Sequence, residues 1–454
     1  MSRGSAGFFM RMRCGKTLAC IDTINGLRAH PALIIAPVSV LASWENELIG
    51  EGVPRSYIIK IRAKSGKKPH QIQRQLLNPA GRYFLINFEM VKRVDALGIR
   101  RRVLPGLGLQ DWRTIAVDES YRIANYEGKL WEYLSRFPAA PGSQYRYLLS
   151  GAPASEHPLD FASQMIFMDG EYFGCRTVSD YLSRFWRWNE YTYKYDVLQP
   201  GHLADILAHI QKSAFCTTLE DLGLGGKKLY RIDRVELNQA QKDLLQWLKT
   251  ATVYIKKDGT TGILDPLVRC MFEAKISSGI HPLTNETVSV EKVTAAVQIW
   301  VDRPEPTLVL SRFVGPLFSA VPAYIAAGAR VGLITGDTAP AAREALRQQF
   351  QAGTIDVIIA QVVPVKMGLD FSRLNRIVYL SNSFSQDDRA QSEDRGQHVG
   401  RTEPYEIIDI VSNDTHDLIL TNVLTIKKEN AILYTRAWAR EIVNREERAI
   451  YAGL

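Results

Sequence analysis

Residues 8–18 read Phe8-Phe-Met-Arg-Met-Arg-Cys-Gly-Lys-Thr-Leu18. An apolar start leads into Gly15, Lys16 and Thr17, and a helical pattern follows. This order is typical of the second half of a phosphate-binding loop. In such a loop the glycine lets backbone N–H groups approach the phosphates, the lysine reaches the β and γ oxygens, and the hydroxyl holds Mg2+. Met10 stands at the position of the motif's first glycine. Taken alone, the triplet is equally compatible with a basic turn before a surface helix.

An acidic pair, Asp118 and Glu119, begins at the end of the apolar run 114–118. Ligands of open α/β sheets bind at the carboxyl ends of the strands. We predict that Asp118 and Thr17 hold a magnesium ion and that Glu119 polarises the attacking water. The alternative is a helix N-cap followed by an exposed glutamate. The Gly-Lys-Thr triplet earlier in the chain favours the nucleotide site.

Short β-branched apolar runs recur along the chain, separated by helical patterns. They are residues 32–37, 83–87, 114–118, 146–150, 307–311, 331–335, 356–360, 376–380 and 407–411. Continuous apolar strands between helices predict parallel sheets buried on both faces. Residues 160–300 read as mostly helical, with amphipathic segments at 239–248 and 264–274. The predicted fold class is α/β, with two tandem lobes and helical insertions between them.

A glycine-rich stretch, Gly223-Leu-Gly-Gly226, suggests the boundary between the lobes. We therefore predict a first domain of residues 1–225 and a second of residues 226–454. An aromatic and basic stretch at 181–195 is expected to pack on the outer edge of the first domain, although its rings could also stack on bases.

The composition excludes several classes of protein. Of 454 residues, 46% are hydrophobic and 23% charged, which is too apolar for a disordered chain. Five cysteines without a C-x-x-C pair argue against a disulfide scaffold and a structural zinc site. The chain has no H-x-x-x-H, G-x-S-x-G or complete G-x-G-x-x-G motif, so zinc hydrolase, serine hydrolase and dinucleotide-binding functions have little support. Because no apolar run of membrane-spanning length occurs, an intracellular protein is expected. A net charge of +8 suits a polyanionic partner.

Further segments complete a series of motifs in a fixed order. They are Leu33-Ile-Ile-Ala-Pro-Val-Ser-Val-Leu-Ala-Ser-Trp44, Val117-Asp-Glu-Ser-Tyr-Arg-Ile-Ala-Asn125, Leu149-Ser-Gly-Ala-Pro153, Leu308-Val-Leu-Ser-Arg-Phe313, Gly368-Leu-Asp-Phe371, the stretch from Gln391-Ser-Glu-Asp-Arg395 through Gly400-Arg401, and Asp414-Thr-His-Asp417. With the Gly-Lys-Thr loop, this series resembles the motifs of Swi/Snf-type superfamily-two helicase-like ATPases, and among them the compact, phage-like DNA translocases.

The resemblance implies two RecA-like lobes, ATP and Mg2+ as cofactors, and DNA-dependent ATP hydrolysis. The implied catalytic residues are Lys16, Glu119 and the arginine finger Arg395. The implied nucleotide-binding residues are Gly15, Lys16, Thr17, Asp118, Gly368, Asp370, Gln391 and His398, and the metal ligands are Thr17 and Asp118. The implied nucleic-acid contacts are Pro37, Val38, Ser39, Asn87, Gln361 and Lys366.

Contacts of the last kind hold a phosphate backbone and read no bases. Recognition of DNA is therefore expected to be without sequence specificity. The family resemblance implies duplex or branched DNA as the partner. The expected location is the cytoplasm of a bacterial or phage-infected cell, or the nucleus of a eukaryote. A competing hypothesis is a helicase-like DNA-binding or scaffold component that hydrolyses ATP poorly. It is motivated by Tyr121, Ala152 and His398, which replace the usual histidine, threonine and arginine of the family.

Overall fold

The computed structural model divides into two compact units, which we call lobe one (up to residue 217) and lobe two (from residue 226). The described residues are 4–11, 14–38, 40–61, 74–91, 112–134, 145–151, 153–154, 158–189, 194–199, 201–217, 226–255, 259–362, 371–383, 385–397, 400–415, 417–418 and 420–421. The predicted class, two α/β lobes built on parallel sheets, is confirmed. The boundary at 225/226 stays a prediction, because residues 218–225 lie outside the described residues.

Lobe one contains a seven-stranded sheet in the order β3-β4-β2-β5-β6-β1-β9, in which every strand pair is parallel. Its strands are β1 (Ala6–Met10), β2 (Ala32–Ala36), β3 (Ile58–Lys60), β4 (Tyr83–Asn87), β5 (Thr114–Asp118), β6 (Tyr145–Leu149) and β9 (Ala214–Thr217). An antiparallel hairpin, β7 (Trp186–Asn189) and β8 (Lys194–Leu198), lies outside this sheet.

Helices cover both faces of the lobe-one sheet. They are α1 (Lys16–Gly26), α2 (Leu41–Gly50), α3 (Lys129–Leu134), α4 (Asp160–Asp169), α5 (Val178–Phe185) and α6 (His202–Ser213). Leu33 and Ile35 of β2 pack on one face with α4 and α6, whereas Ile34 packs on the other face with α1 and α2. Two-sided burial explains why these strands are continuous apolar runs.

Lobe two contains a six-stranded parallel sheet in the order β10-β17-β16-β13-β15-β14. Its strands are β10 (Lys228–Val235), β13 (Thr307–Ser311), β14 (Val331–Ile334), β15 (Val357–Gln361), β16 (Arg376–Tyr379) and β17 (Tyr405–Ser412). A short antiparallel pair is formed by β11 (Val253–Ile255) and β12 (Thr261–Ile263).

The helices of lobe two are α7 (Gln239–Thr250), α8 (Pro266–Ser277), α9 (Glu291–Asp302), α10 (Val314–Ala326), α11 (Pro340–Gln351) and α12 (Gln386–Glu393). Helices α7 and α8 pack together in a small separate core, as expected from the two amphipathic segments. Leu308 and Leu310 of β13 pack toward α11, and Val309 packs toward α9 and α10. Within the described residues, no helix is long and apolar enough to cross a membrane.

All nine predicted strands are present, as β2, β4, β5, β6, β13, β14, β15, β16 and β17. The mostly helical reading of residues 160–300 was incomplete, because this region also contains two antiparallel strand pairs and the sheet strands β9 and β10. The expected packing of the aromatic stretch holds for Tyr181 and Trp186, which are buried in the lobe-one core. Trp188, in contrast, is about half exposed.

Candidate active site

The loop after β1 ends at a helix start suited to an anion. Gly15 is the N-cap of α1 and has a φ of 79°, in the left-handed region that favours glycine. No side chain caps the helix, and its first turn contains no acidic residue. The first residue of the helix is instead Lys16, although a cation at a helix N-terminus is unfavourable. Open space lies beside the Cα of Gly15. These features leave N–H groups available to phosphate oxygens.

The acidic pair lies directly opposite this lysine. Lys16 Nζ is 3.5 Å from Glu119 Oε1 and 4.0 Å from Asp118 Oδ1. The two loops meet because β1 and β5 both pair with β6 in parallel, so their carboxyl ends lie at the same edge of the sheet. Burial lowers the pKa of Lys16, but the carboxylates of Glu119 and Asp118 raise it more, so the pKa lies above the ordinary value of a lysine.

Asp118 is a deeply buried carboxylate, with 1% of its surface exposed. Its Oδ2 accepts a hydrogen bond of 2.8 Å from the indole Nε1 of Trp44, and its Oδ1 accepts one of 2.9 Å from the backbone N–H of Glu119. Burial raises the pKa of Asp118, and the charge of Lys16 and these N–H donors only partly oppose that shift. The negative charge of Glu119 raises the pKa of Asp118 as well.

Glu119 has an unusual backbone conformation. Its φ of 52° and ψ of 53° place a non-glycine residue in the left-handed region, at the start of the 3-10 turn Ser120–Ile123. Such a conformation costs free energy and persists only where the surroundings hold it. Here it directs the Glu119 side chain toward Lys16 at the end of β5.

The donor set fits a magnesium–nucleotide complex. Mg2+ prefers hard oxygen ligands and binds proteins through one or two carboxylate or hydroxyl groups together with phosphates and water. Asp118 is a buried carboxylate without a cation in hydrogen-bond contact, and Thr17 is a half-buried hydroxyl in the first turn of α1. Within the described residues, no group of three or more His, Cys, Asp or Glu side chains could hold a metal alone. A site that shares its ion with phosphates requires none.

Lobe two provides two described residues of the predicted nucleotide site. Gln391 is half-buried in α12, and Arg395 lies in the following 3-10 turn, Asp394–Gly396, with 4% of its surface exposed. The backbone oxygen of Arg395 accepts a hydrogen bond from the N–H of Phe371. Gly368, Asp370 and His398 lie outside the described residues.

A buried polar network anchors the segment that bears Gln391 and Arg395. Arg389 donates to both carboxylate oxygens of Asp409 and to Glu393 Oε1 at 2.7 Å, and its guanidinium lies 3.8 Å above the ring of Tyr379. Glu393 also accepts a hydrogen bond of 2.7 Å from the hydroxyl of Tyr230. The network ties α12 to β10, β16 and β17, so the segment has a fixed place on the lobe-two sheet.

The predicted nucleic-acid contacts lie at the ends of strands. Pro37 and Val38 follow β2, and Asn87 ends β4 beside Ala36 in the sheet register. Val38 is exposed, whereas the Asn87 side chain accepts a hydrogen bond from the backbone N–H of Met90. In lobe two, Gln361 ends β15, and its Oε1 accepts a hydrogen bond of 2.7 Å from the backbone N–H of Gly336. Asn87 therefore shapes the segment that follows β4, and Gln361 holds the loop that follows the neighbouring strand β14. Ser39 and Lys366 lie outside the described residues.

A match to a family model shows to which known family this chain belongs. The model of the SNF2-related domain matches residues 8–271, which is more than half of the chain. The chain belongs to the SNF2-related family. The predicted resemblance to Swi/Snf-type ATPases is thereby confirmed, and the match includes the Lys16 loop and the acidic pair.

Individual relatives are distant. The chain is 19% identical over 436 residues to Chromodomain-helicase-DNA-binding protein 1-like of Danio rerio, covering 90% of this chain and 40% of that protein. It is 24% identical over 279 residues to Chromodomain-helicase-DNA-binding protein 1 of Homo sapiens, covering 58% of this chain and 15% of that protein. The solved Sulfolobus solfataricus SWI2/SNF2 ATPase core in complex with dsDNA aligns over 97% of this chain and 91% of that chain, with 19% identity and a TM-score of 0.39. This SNF2-related chain thus spans less than half the length of the two curated relatives.

The roles of two residues beside the acidic pair were not predicted from the sequence. Trp44 was part of a quoted motif without a role, and the structure places its indole N–H on Asp118. Gln164 was not singled out, and it accepts a hydrogen bond from Ser120. The available signal for Gln164 was a polar residue within the apolar run 161–168, since a buried amide needs hydrogen-bond partners.

Proposed function

We propose that this SNF2-related chain is an ATP-driven DNA motor core that hydrolyses ATP on DNA and moves along it without sequence specificity. The observation that supports this most strongly is the cluster of Lys16, Asp118 and Glu119 in front of the uncapped start of α1. A lysine, a buried carboxylate and a second carboxylate at one sheet edge are the groups that phosphoryl transfer to water requires.

Each side chain has a distinct task in this proposal. The N–H groups at the start of α1 bind the β-phosphate, and Lys16 exchanges its contact with Glu119 for the β and γ oxygens. Glu119, released from the lysine, orients the attacking water and accepts its proton. Asp118 and Thr17 would hold Mg2+, which when bound neutralises phosphate charge. Arg395 of lobe two would stabilise the charge that builds on the transferred γ-phosphoryl group.

The same proposal assigns the DNA contacts. The ends of β2 and β4 in lobe one, and of β15 in lobe two, carry Pro37, Val38, Asn87 and Gln361. Val38 is exposed, Asn87 and Gln361 are half-buried polar side chains, and Pro37 is buried. Polar side chains at strand ends suit contact with a phosphate backbone. Two curated relatives have helicase and DNA-binding in their names, which agrees with DNA as partner. Membership of a phage-like subgroup and an intracellular location remain predictions.

The test is steady-state ATP hydrolysis by the full chain, with double-stranded DNA, single-stranded DNA or RNA of equal length. We expect turnover to be stimulated most by double-stranded DNA. Lys16→Ala should lower it by about a hundredfold or more, because a charged contact to the transferred group is lost. Lys212→Ala, at an exposed position in α6, is the matched control and should behave like the wild type.

Three results would contradict the proposal. Stimulation by RNA alone would exclude DNA as the partner. The proposed movement along duplex DNA does not include full separation of the strands, so efficient separation of a blunt duplex would also contradict it. DNA binding with no turnover above the Lys16→Ala background, at saturating magnesium and ATP, would favour the hydrolysis-impaired scaffold instead.

A further inference from the structure

A buried glutamine connects the loop that follows β5 with the loop that follows β6. Gln164 lies in α4 and is fully buried. Its Oε1 accepts a hydrogen bond of 2.7 Å from the hydroxyl of Ser120. Its Nε2 donates to the backbone oxygen of Pro153 at 2.6 Å and to that of Asp160 at 2.7 Å. Gln164 therefore connects the residue after Glu119 with the loop that follows β6.

The amide can adopt only one orientation. Both hydrogens of its Nε2 point to carbonyl oxygens, so a flipped amide would place its oxygen against two other acceptors. Oε1 is consequently the acceptor for Ser120, and the Ser120 hydroxyl has a fixed direction. In a buried site such a satisfied set of hydrogen bonds holds its members in one arrangement, and loss of one partner leaves the others unpaired.

The connection reaches the strained residue of the site. Glu119 has a left-handed backbone, and Ser120 is the first residue of the turn that fixes it. On the other side, the N–H of Ser150, at the start of the loop that contains Pro153, donates to the backbone oxygen of Phe8 in β1. Strand β1, which leads to the phosphate loop, is thus hydrogen-bonded to the loop after β6. Gln164 links the turn after Glu119 to that same loop.

We propose that Gln164 is a positioning residue, which holds Glu119 in its reactive backbone conformation and links the loop after β5 to the loop after β6. The inference rests on the proposed ATPase activity and deepens it. The Ser120–Gln164–Pro153 connection is a direct side-chain link between these two loops.

The first test separates positioning from substrate binding. Gln164→Leu keeps the side-chain size and removes all three hydrogen bonds. We expect kcat for DNA-stimulated ATP hydrolysis to fall by about tenfold, since one buried hydrogen bond contributes about that factor. The KM for ATP should change by less than about twofold, because Lys16 and the start of α1 stay in place.

Ser163→Ala is the matched control. Ser163 is the neighbouring residue in α4, is also fully buried, and donates a hydrogen bond of 2.9 Å to the backbone oxygen of Ala124. The Ser163→Ala variant loses one buried hydrogen bond and keeps the Ser120–Gln164 pair intact. Its kcat should stay within about twofold of the wild type even where its melting temperature falls. A general loss of folded protein would instead lower both variants in proportion to their stability.

A double-mutant cycle tests whether Ser120 and Gln164 act together. Ser120→Ala should lower kcat in the same direction as Gln164→Leu, and the double variant should resemble Gln164→Leu alone. Multiplying losses would overturn the inference, as would full kcat in Gln164→Leu or a rise in KM with kcat unchanged. A wild-type chain without DNA-stimulated turnover would refute the ATPase proposal and this inference with it, whereas an active wild type with an unaffected Gln164→Leu would refute the inference alone.

Discussion

The hydrogen bond from Trp44 to Asp118 has a measurable free energy. Trp44→Phe keeps a buried ring but removes the indole N–H that lies 2.8 Å from the carboxylate. A hydrogen bond to a charged group contributes about 1.5–3 kcal/mol, and the smaller ring leaves a cavity that costs about 1 kcal/mol. We therefore expect the free energy of unfolding of Trp44→Phe, measured by urea denaturation near neutral pH, to be lower by about 2.5–4 kcal/mol.

The pH dependence of this loss identifies its cause. Burial already raises the pKa of Asp118, and loss of the indole donor raises it further. The bond stabilises the ionised carboxylate, so the difference between the two proteins is fully present above the folded pKa of Asp118 in Trp44→Phe, which is the higher of the two. The difference shrinks as the pH falls from that pKa to the wild-type one, because below both values the carboxyl group is neutral in both proteins.

Trp300→Phe is the matched control for ring size. Trp300 is buried in lobe two, and its Nε1 has no hydrogen-bond partner within the described residues. Its loss of stability should be smaller, at about 1 kcal/mol, and independent of pH. If the loss in Trp44→Phe were equally independent of pH, Asp118 would not be the ionised acceptor and the reasoning would be refuted.

Two further predictions concern buried charges of lobe two. Burial alone would raise the pKa of Asp417, but Lys292, with its Nζ 2.6 Å away, and further hydrogen bonds hold the pKa below its ordinary value. The stability from this pair is present above about pH 4 and is lost as the pH falls through the lower folded pKa. The free energy of unfolding of Asp417→Asn should therefore fall less steeply with decreasing pH in the acid range than that of the wild type. An unchanged slope would contradict this. Arg389→Met leaves the Asp409 carboxylate buried without its cation and should cost about 3–5 kcal/mol in urea denaturation. Replacement of Asp409 by Leu in the same chain should recover part of that loss, and a further loss would show that the pair is not the cause.

The central strands were predictable because parallel strands buried on both faces are continuous apolar runs. The edge strands β3, β9 and β10 were not predicted, whereas the edge strand β14 was. Strand β10 has a mostly exposed face that includes Arg231, so its sequence lacks the apolar run. Strand β1 is buried between β6 and β9, but Arg11 directly follows it, so it was recognised only as an apolar stretch.

The candidate site was predictable to the extent that strand ends determine it. Because ligands bind at the carboxyl ends of parallel strands, we predicted that Lys16 and Asp118 share one site, and the structure places them close together. The contacts of Trp44 and Gln164 depend on how helices pack on the sheet, and the spacing of residues along the chain contains no such information. The roles of Arg395 and of the DNA-contact residues remain predictions.

The most direct test of the nucleotide site is single-turnover hydrolysis of bound ATP by Glu119→Gln, in the presence of magnesium and double-stranded DNA. The substitution keeps the shape of the side chain and removes its ability to accept a proton. We expect the variant to bind ATP within a few-fold of the wild type but to hydrolyse it about a hundredfold or more slowly, which is the scale of general base catalysis. Hydrolysis at the wild-type rate would show that Glu119 is not the base, and the interpretation of the Lys16–Asp118–Glu119 cluster as the catalytic centre would be wrong.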